Sequence, residues 1–302
     1  MRGWVAALLI GLAVPATAQQ SPATCDGSWA RLSEALPVAV SAEIATEGPL
    51  CVATNVVANE SFAQTRIDRL TWEGQGLDRY GDEGVPPRSL VLTVERARSV
   101  SLTGDPHTDY VRQAQARQEA LSGRLELRWD QLTNRLFLDV LNVDFPGESA
   151  LRMSGQAGGV DLSSMSALRT SLGSAVLSSL TIDVTTFGLF EAYLLERFVM
   201  MTIPRETDPE VAMPEVISEF ARQIEGLPET SFSAETKAAM IAFLEDVPSP
   251  SGGLRLTLAA DPPLGWIRLF PNWLSNGVSR DPATLLEGVR IRVEYSPRSA
   301  SQ

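Results

Sequence analysis

The six residues Gly104-Asp-Pro-His-Thr-Asp109 set a carboxylate, an imidazole and a second carboxylate at alternate positions, Asp105, His107 and Asp109. That donor set could present three ligands to a divalent metal or serve a hydrolase as acid and base. His107 is the chain's one histidine, so any Ser-His-Asp or Cys-His mechanism would have to use it. Hydrolytic zinc sites usually recruit several imidazoles, and Gly, Pro, Asp and Thr in one short run after a strand are turn formers. The expectation is a solvated turn, with no catalytic residue, no metal and no cofactor assigned.

Other chemistry-bearing patterns are weaker. No G-x-S-x-G elbow is present, and no S-x-x-K motif surrounds Lys237, the single lysine. Trp72-Glu73 and Trp129-Asp130 place an acid beside an indole, an arrangement that could raise a carboxyl pKa or cradle a sugar. Both acids stand where strands end, which is ordinary for a charged residue. Gly155-Gln-Ala-Gly-Gly159 is not followed by G-K-S/T and reads as a loop, and Asn59-Glu-Ser61 matches a glycosylation sequon.

Two apolar features suggest a ligand instead. The segment around Phe187, Phe190, Leu194, Leu195, Phe198 and Met201 is too apolar for a helix with a free outer face. The run Pro263 to Leu274 carries Trp266 and Trp273. Phe190, Leu194, Phe198, Trp266 and Trp273 are therefore the candidate ligand-binding residues, against the alternative that both features simply fill space under a helical cover.

Composition narrows the partners. The net charge is -12, with no basic cluster of the kind phosphate neutralisation needs, so nucleic acid is not an expected partner. Met1-Arg2, the apolar run Trp4 to Val14 and the small residues of Pro15-Ala-Thr-Ala18 read as a secretory leader over residues 1–18. Such a run is too short to span a bilayer as a helix, so no transmembrane segment is expected in the mature chain. A periplasmic or secreted location follows, and in an oxidising compartment Cys25 and Cys51 should form a disulfide. It would staple the segment carrying Trp29 and Leu32 onto the first strands.

The elements that must position these residues are mostly strands. From Val38 to about Leu162 the dominant period is two. Leu90, Leu92, Val94, Val100 and Leu102 share one parity, but so do Arg96 and Arg98, so this strand either breaks at its centre or turns two arginines toward the covered face. Leu125, Leu127 and Trp129 lead through Asp130 to Asn134 into Leu136, Leu138 and Val140, which give way to Leu141, Val143 and Phe145. That change of parity predicts a bulge near Val140 and Leu141, which would curve the sheet. The period then changes: Leu189 to Met201 reads as one helix, Asp208-Pro209 caps a second, and Ser233 caps a third. Strands return at Gly253 and Val289.

The fold expected is α+β, a curved, mainly antiparallel sheet with a helical block packed on it. Residues 19–302 would form a single β-rich domain with the helical insertion at about 187–247. The function expected is non-enzymatic binding of an apolar ligand or an envelope component through the concave face of the sheet. The alternatives are a carboxylate-dependent or metal-dependent hydrolase using the Asp105, His107 and Asp109 region, and a structural partner subunit of an envelope complex.

Overall fold

The computed structural model describes residues 22–36, 38–60, 63–265 and 286–298. Ten strands follow one another as a meander, each pairing antiparallel with its neighbours in the chain: β1 (Ala39–Glu47), β2 (Leu50–Asn59), β3 (Ala63–Glu73), β4 (Ser89–Ser101), β5 (Leu121–Asp130), β6 (Arg135–Asp144), β7 (Ala150–Gly158), β8 (Val176–Thr186), β9 (Gly252–Gly265) and β10 (Val289–Pro297). The sheet is curved and open, with β1 and β10 at its edges. Helix α1 (Pro22–Ala35) precedes it; α2 (Leu77–Glu83), α3 (Pro106–Ala116) and α4 (Met165–Leu172) lie in connections; α5 (Leu189–Tyr193), α6 (Leu195–Thr202), α7 (Pro209–Glu225) and α8 (Ala234–Glu245) all lie between β8 and β9. This is the α+β arrangement that the patterning predicts, and the strands after the helical block rejoin the same sheet.

Some local expectations need correction. Helices α1 to α4 fall in segments where no helix is predicted, α2 inside the Gly-rich and Pro-rich stretch from 74 to 87. The single helix expected over 189–201 is two short ones, with Leu194 between them at φ -118. The predicted caps hold: the Asp208 carboxylate accepts from the Glu210 amide and the Ser233 hydroxyl from the Thr236 amide.

Because paired residues on adjacent strands share a face, the registers define rows across the whole sheet. One row runs Ile44, Ala53, Leu70, Val94, Gly123, Val143, Leu151, Val184, Leu254, Tyr295, one residue from each strand. The next runs from Cys51 through Trp72, Leu92, Leu125, Leu141 and Met153 to Ile182, Leu256 and Val293. The opposite face is laced with exposed ion pairs, among them Arg128 with Asp139, Arg69 with Glu47 and Arg255 with Asp183. Such pairs contribute little stability each, but they mark that face as the solvated one.

Bulges keep these rows apolar. In β6, Leu138 pairs Gly155 and Leu141 pairs Met153, so Asp139 and Val140 together oppose Ser154. The bulge sits one residue earlier than predicted and returns Leu141 and Val143 to the face of Leu136 and Leu138. In β4 the register slips between Val94 and Ala97, and Arg96 adopts φ +54. The strand runs on as one element, paired with β3 on both sides of this point, so what interrupts the parity at its centre is a slip against β5 rather than a break. Asn55 (φ +53), Asp68 and Arg96 occupy one rung there, and Asp68 accepts from Arg96 at 3.0 Å and Arg98 at 2.6 Å. Partial burial pulls the Asp68 carboxyl upward, but Arg98 and then Arg96 outweigh it and hold it below the usual carboxylate range.

Two glycines inside strands sit where the neighbouring backbone comes too close for a side chain. A Cβ at Gly123 would lie 2.9 Å from the Asn142 carbonyl oxygen, and one at Gly155 the same distance from that of Ser179. Neighbouring backbone fills the space a side chain would take, the usual reason for glycine inside a strand.

In a meander, alternate connections share a rim. One rim carries α3 and the block α5 to α8, and the other carries α2 and α4. The Cys25–Cys51 disulfide ties α1 to β2, and Trp29 lies 6.0 Å from Trp72, whose indole N–H donates to the buried Ser28 hydroxyl at 2.9 Å. At the far edge, the Ile291 amide donates to the Ser231 carbonyl at 2.8 Å, so residues 231 and 232 cover the free side of β10.

Candidate functional site

Three buried clusters lie on the apolar face. The first joins α1 and α2 to β2 and β3 through Cys25, Cys51, Leu70, Trp72 and Leu77. The second gathers Trp129, Val160 and Leu162 with Leu168 of α4, and the Trp129 indole donates to the Val160 carbonyl at 2.8 Å. The third gathers Leu258, Ala260, Leu264 and Val289. Between them stand Leu125, Leu127, Leu138, Leu141, Val143, Leu151, Met153, Ile182 and Val184 on β5 to β8. All nine are half-buried, and none belongs to any of these three clusters.

The predicted ligand residues divide. Phe190 is buried, with ring centroids 6.0 Å from Phe198 and 6.3 Å from Phe243. Phe198 stacks on Phe220 at 6.0 Å, and Phe243 meets Tyr295 edge-on at 5.3 Å. These rings fill the interior of the helical block and tie it to β10, while Leu194, at the break between α5 and α6, is 47% exposed. The structure thus brings Phe190 and Phe198 together and turns Leu194 outward. Trp266 and Trp273 lie outside the described residues, as does the predicted leader.

The rim carrying α3 and α5 has its own chemistry. A cleft of about 270 Å3 lies between the last turn of α3, strands β3 to β5 and the side chain of Tyr193, with Arg98 and Glu119 among its lining residues. Burial first, and the negative charge of Glu119 second, push the Tyr193 phenol up. Tyr193 also packs on Phe145, with centroids 5.2 Å apart. The same rim exposes Tyr110 and Val111 of α3, Met200 and Met201 of α6 and Val211 of α7.

The residues Asp105, His107 and Asp109 do not form the solvated turn expected of them; they open α3. Asp105 is its N-cap, accepting from the Thr108 amide at 2.7 Å. Asp109 accepts from the Thr103 amide at 2.8 Å, the Thr103 hydroxyl at 2.7 Å and the Gly104 amide at 3.2 Å. These bonds hold both carboxyls below the usual aspartate range, the Thr108 amide leading for Asp105 and the Thr103 amide for Asp109. Among the described residues, no group of three or more His, Cys, Asp or Glu side chains is placed to hold a metal ion, and no helix is long and apolar enough to cross a membrane.

What sequence reasoning misses is the continuity of the apolar face. The alternating leucines of each strand are legible one strand at a time, but the registers that align them across ten strands are not. Compared with protein-family models and with curated proteins, the chain matches none.

Proposed function

We propose that this protein is a non-enzymatic binding protein of the cell envelope, periplasmic or secreted, that holds an apolar ligand against the central strands of its sheet. One observation carries the reading: nine apolar side chains on β5 to β8 form a continuous surface that remains half-buried and outside the three clusters. Completing the burial of such a surface gains about 25 cal/mol per Å2, so a ligand covering on the order of 200 Å2 of it would gain about 5 kcal/mol before the costs of association. The bulges between β4 and β8 curve the sheet along this surface. Export through a leader over residues 1–18 agrees with the Cys25–Cys51 disulfide, which persists in oxidising compartments.

A structural partner subunit is the second reading, favoured by Met200 at 65% and Met201 at 86% exposure on α6, since clustered exposed apolar side chains mark interaction surfaces. A hydrolase built on Asp105 and Asp109 draws less support, because the structure gives both carboxylates to capping and bracing α3. Native mass spectrometry of the protein purified from its own envelope separates these readings. Retained lipid is expected. Retained protein partner without lipid would favour the second reading, and a stoichiometric metal lost in His107→Ala would favour the hydrolase.

A further inference from the structure

Two adjoining clefts lie on the rim that carries α2 and α4, one of about 300 Å3 and one of about 150 Å3, and Arg79, Pro86 and Arg88 line both. Among the described residues no acidic side chain lines either cleft, although the chain carries a net charge of -12. Arg88 stands immediately before β4. Its amide donates to the Gln75 carbonyl at 2.8 Å, and its carbonyl accepts from the Trp129 amide at 2.8 Å, so the guanidinium is its free polar group. Among the described residues that guanidinium has no hydrogen-bond or ion-pair partner. Arg79 comes no closer than 3.6 Å to Glu83, one turn along α2, and both of those side chains are exposed.

The smaller cleft is also lined by Trp129 and Leu162 of the second buried cluster. From Arg88 the strand runs inward: Leu90 pairs Leu127, and Leu92 pairs Leu125. At about 3.4 Å per residue these pairs lie about 7 and 14 Å along β4, and Leu127 and Leu125 belong to the half-buried surface of the central strands. Two cations thus stand at the wet end of an apolar track. Guanidinium groups match carboxylate and phosphate oxygens two at a time. Exposed to solvent, they hold a free anion only weakly, so affinity has to come from burying an attached chain, while the arginines set which end enters. A cationic head would meet like charge with no acid to offset it.

We propose that Arg88, with Arg79 in the same clefts, receives the anionic head, carboxylate or phosphate, of a single-chain amphiphile whose hydrocarbon lies along Leu90, Leu127 and the central strands. The assignment rests on the apolar-ligand reading above and adds to it the charge and the orientation of the ligand.

The test compares oleate, monoolein and inorganic phosphate by titration calorimetry, in mildly alkaline buffer and below the aggregation thresholds of the two amphiphiles. In the wild type oleate should bind about tenfold more tightly than monoolein, and phosphate alone should give no measurable binding. Arg88→Gln should remove most of the preference for oleate and leave monoolein unmoved. Arg152→Gln makes the same change of charge at an exposed position of β7 and should leave the preference intact. Thermal midpoints close to that of the wild type establish that both variants are folded. If oleate and monoolein bind the wild type alike, or if the two variants behave alike, Arg88 is not the head site, while the apolar face still holds the chain. Phosphate binding that Arg88→Gln abolishes, without binding of either amphiphile, would make this a site for a free anion and overturn the assignment. If none of the three binds the wild type, the apolar-ligand reading falls, and the head site falls with it.

Discussion

Leu141 of β6 stands directly opposite Met153 of β7, on the first rung after β6 places two residues against one. That extra residue decides which face Leu141 and Val143 occupy, because a one-residue slip turns every following side chain over. Deleting Val140 should therefore turn both toward the solvated face or force the register of β6 to shift against both neighbours. The expected outcome is a loss of at least about 3 kcal/mol, from broken rows on both sides of β6. Denaturant unfolding of the deletion variant is the check, and a midpoint equal to the wild type would mean the bulge has no such role.

The disulfide joins residues 26 apart in sequence. Removing it through Cys25→Ser with Cys51→Ser should cost about 3 to 4 kcal/mol by the loop-closure relation. Non-reducing peptide mapping of the wild type should recover Cys25 and Cys51 in one linked pair. Two free thiols, or a double variant as stable as the wild type, would contradict the role given to this staple.

How much of this was legible in the sequence depends on what each element needs to form. The strands announce themselves by period two, and even the β6 bulge appears as a change of parity between Val140 and Leu141. Helix α3 carries the same Asp-Pro opening that reveals α7, at Asp105-Pro106. It passes for a turn because among its residues only Ala116 is buried, so no apolar stripe reinforces the cap. Helix α2 is short and begins after Gly76 in the left-handed region, a conformation that resembles loop in sequence. The apolar character of residues 189 to 201 is legible, but the break at Leu194 is not, because tertiary packing of Phe190 and Phe198 sets it. The rim cleft was invisible: Arg98, Glu119 and Tyr193 come from three distant segments.

Asp109 braces the first turn of α3 through the Thr103 and Gly104 amides and the Thr103 hydroxyl. Its carboxyl is lowered in the folded state, so its contribution is fully present above the unfolded value of about 3.9 and is lost as pH falls through the folded value. The stability difference between wild type and Asp109→Asn should be constant near neutrality and close as the pH drops below about 4. Chemical unfolding of both proteins from pH 7 to pH 2 measures it. A difference that stays constant or widens in acid would contradict the assignment.

Phe190 is 7% exposed and touches two other rings, whereas Leu194 is 47% exposed. Phe190→Ala should cost about 3 to 5 kcal/mol as a buried aromatic truncation, and Leu194→Ala should stay within about 0.5 kcal/mol. Equal effects of the two substitutions in urea unfolding would mean that the aromatic packing does not hold the helical block as described.

Met153 and Ser154 are adjacent in β7 but belong to opposite faces, Met153 in the apolar row with Leu141 and Ile182, and Ser154 on the exposed side. Titration of a fluorescent fatty acid into wild type, Met153→Glu and Ser154→Glu, with thermal midpoints recorded for all three, tests the apolar-face reading most directly. The expected result is saturable binding by wild type and Ser154→Glu, and at least about a tenfold loss for a folded Met153→Glu, since a carboxylate on the contact surface would have to be desolvated. Absence of binding by the wild type, or equal binding by both glutamate variants, would contradict the account.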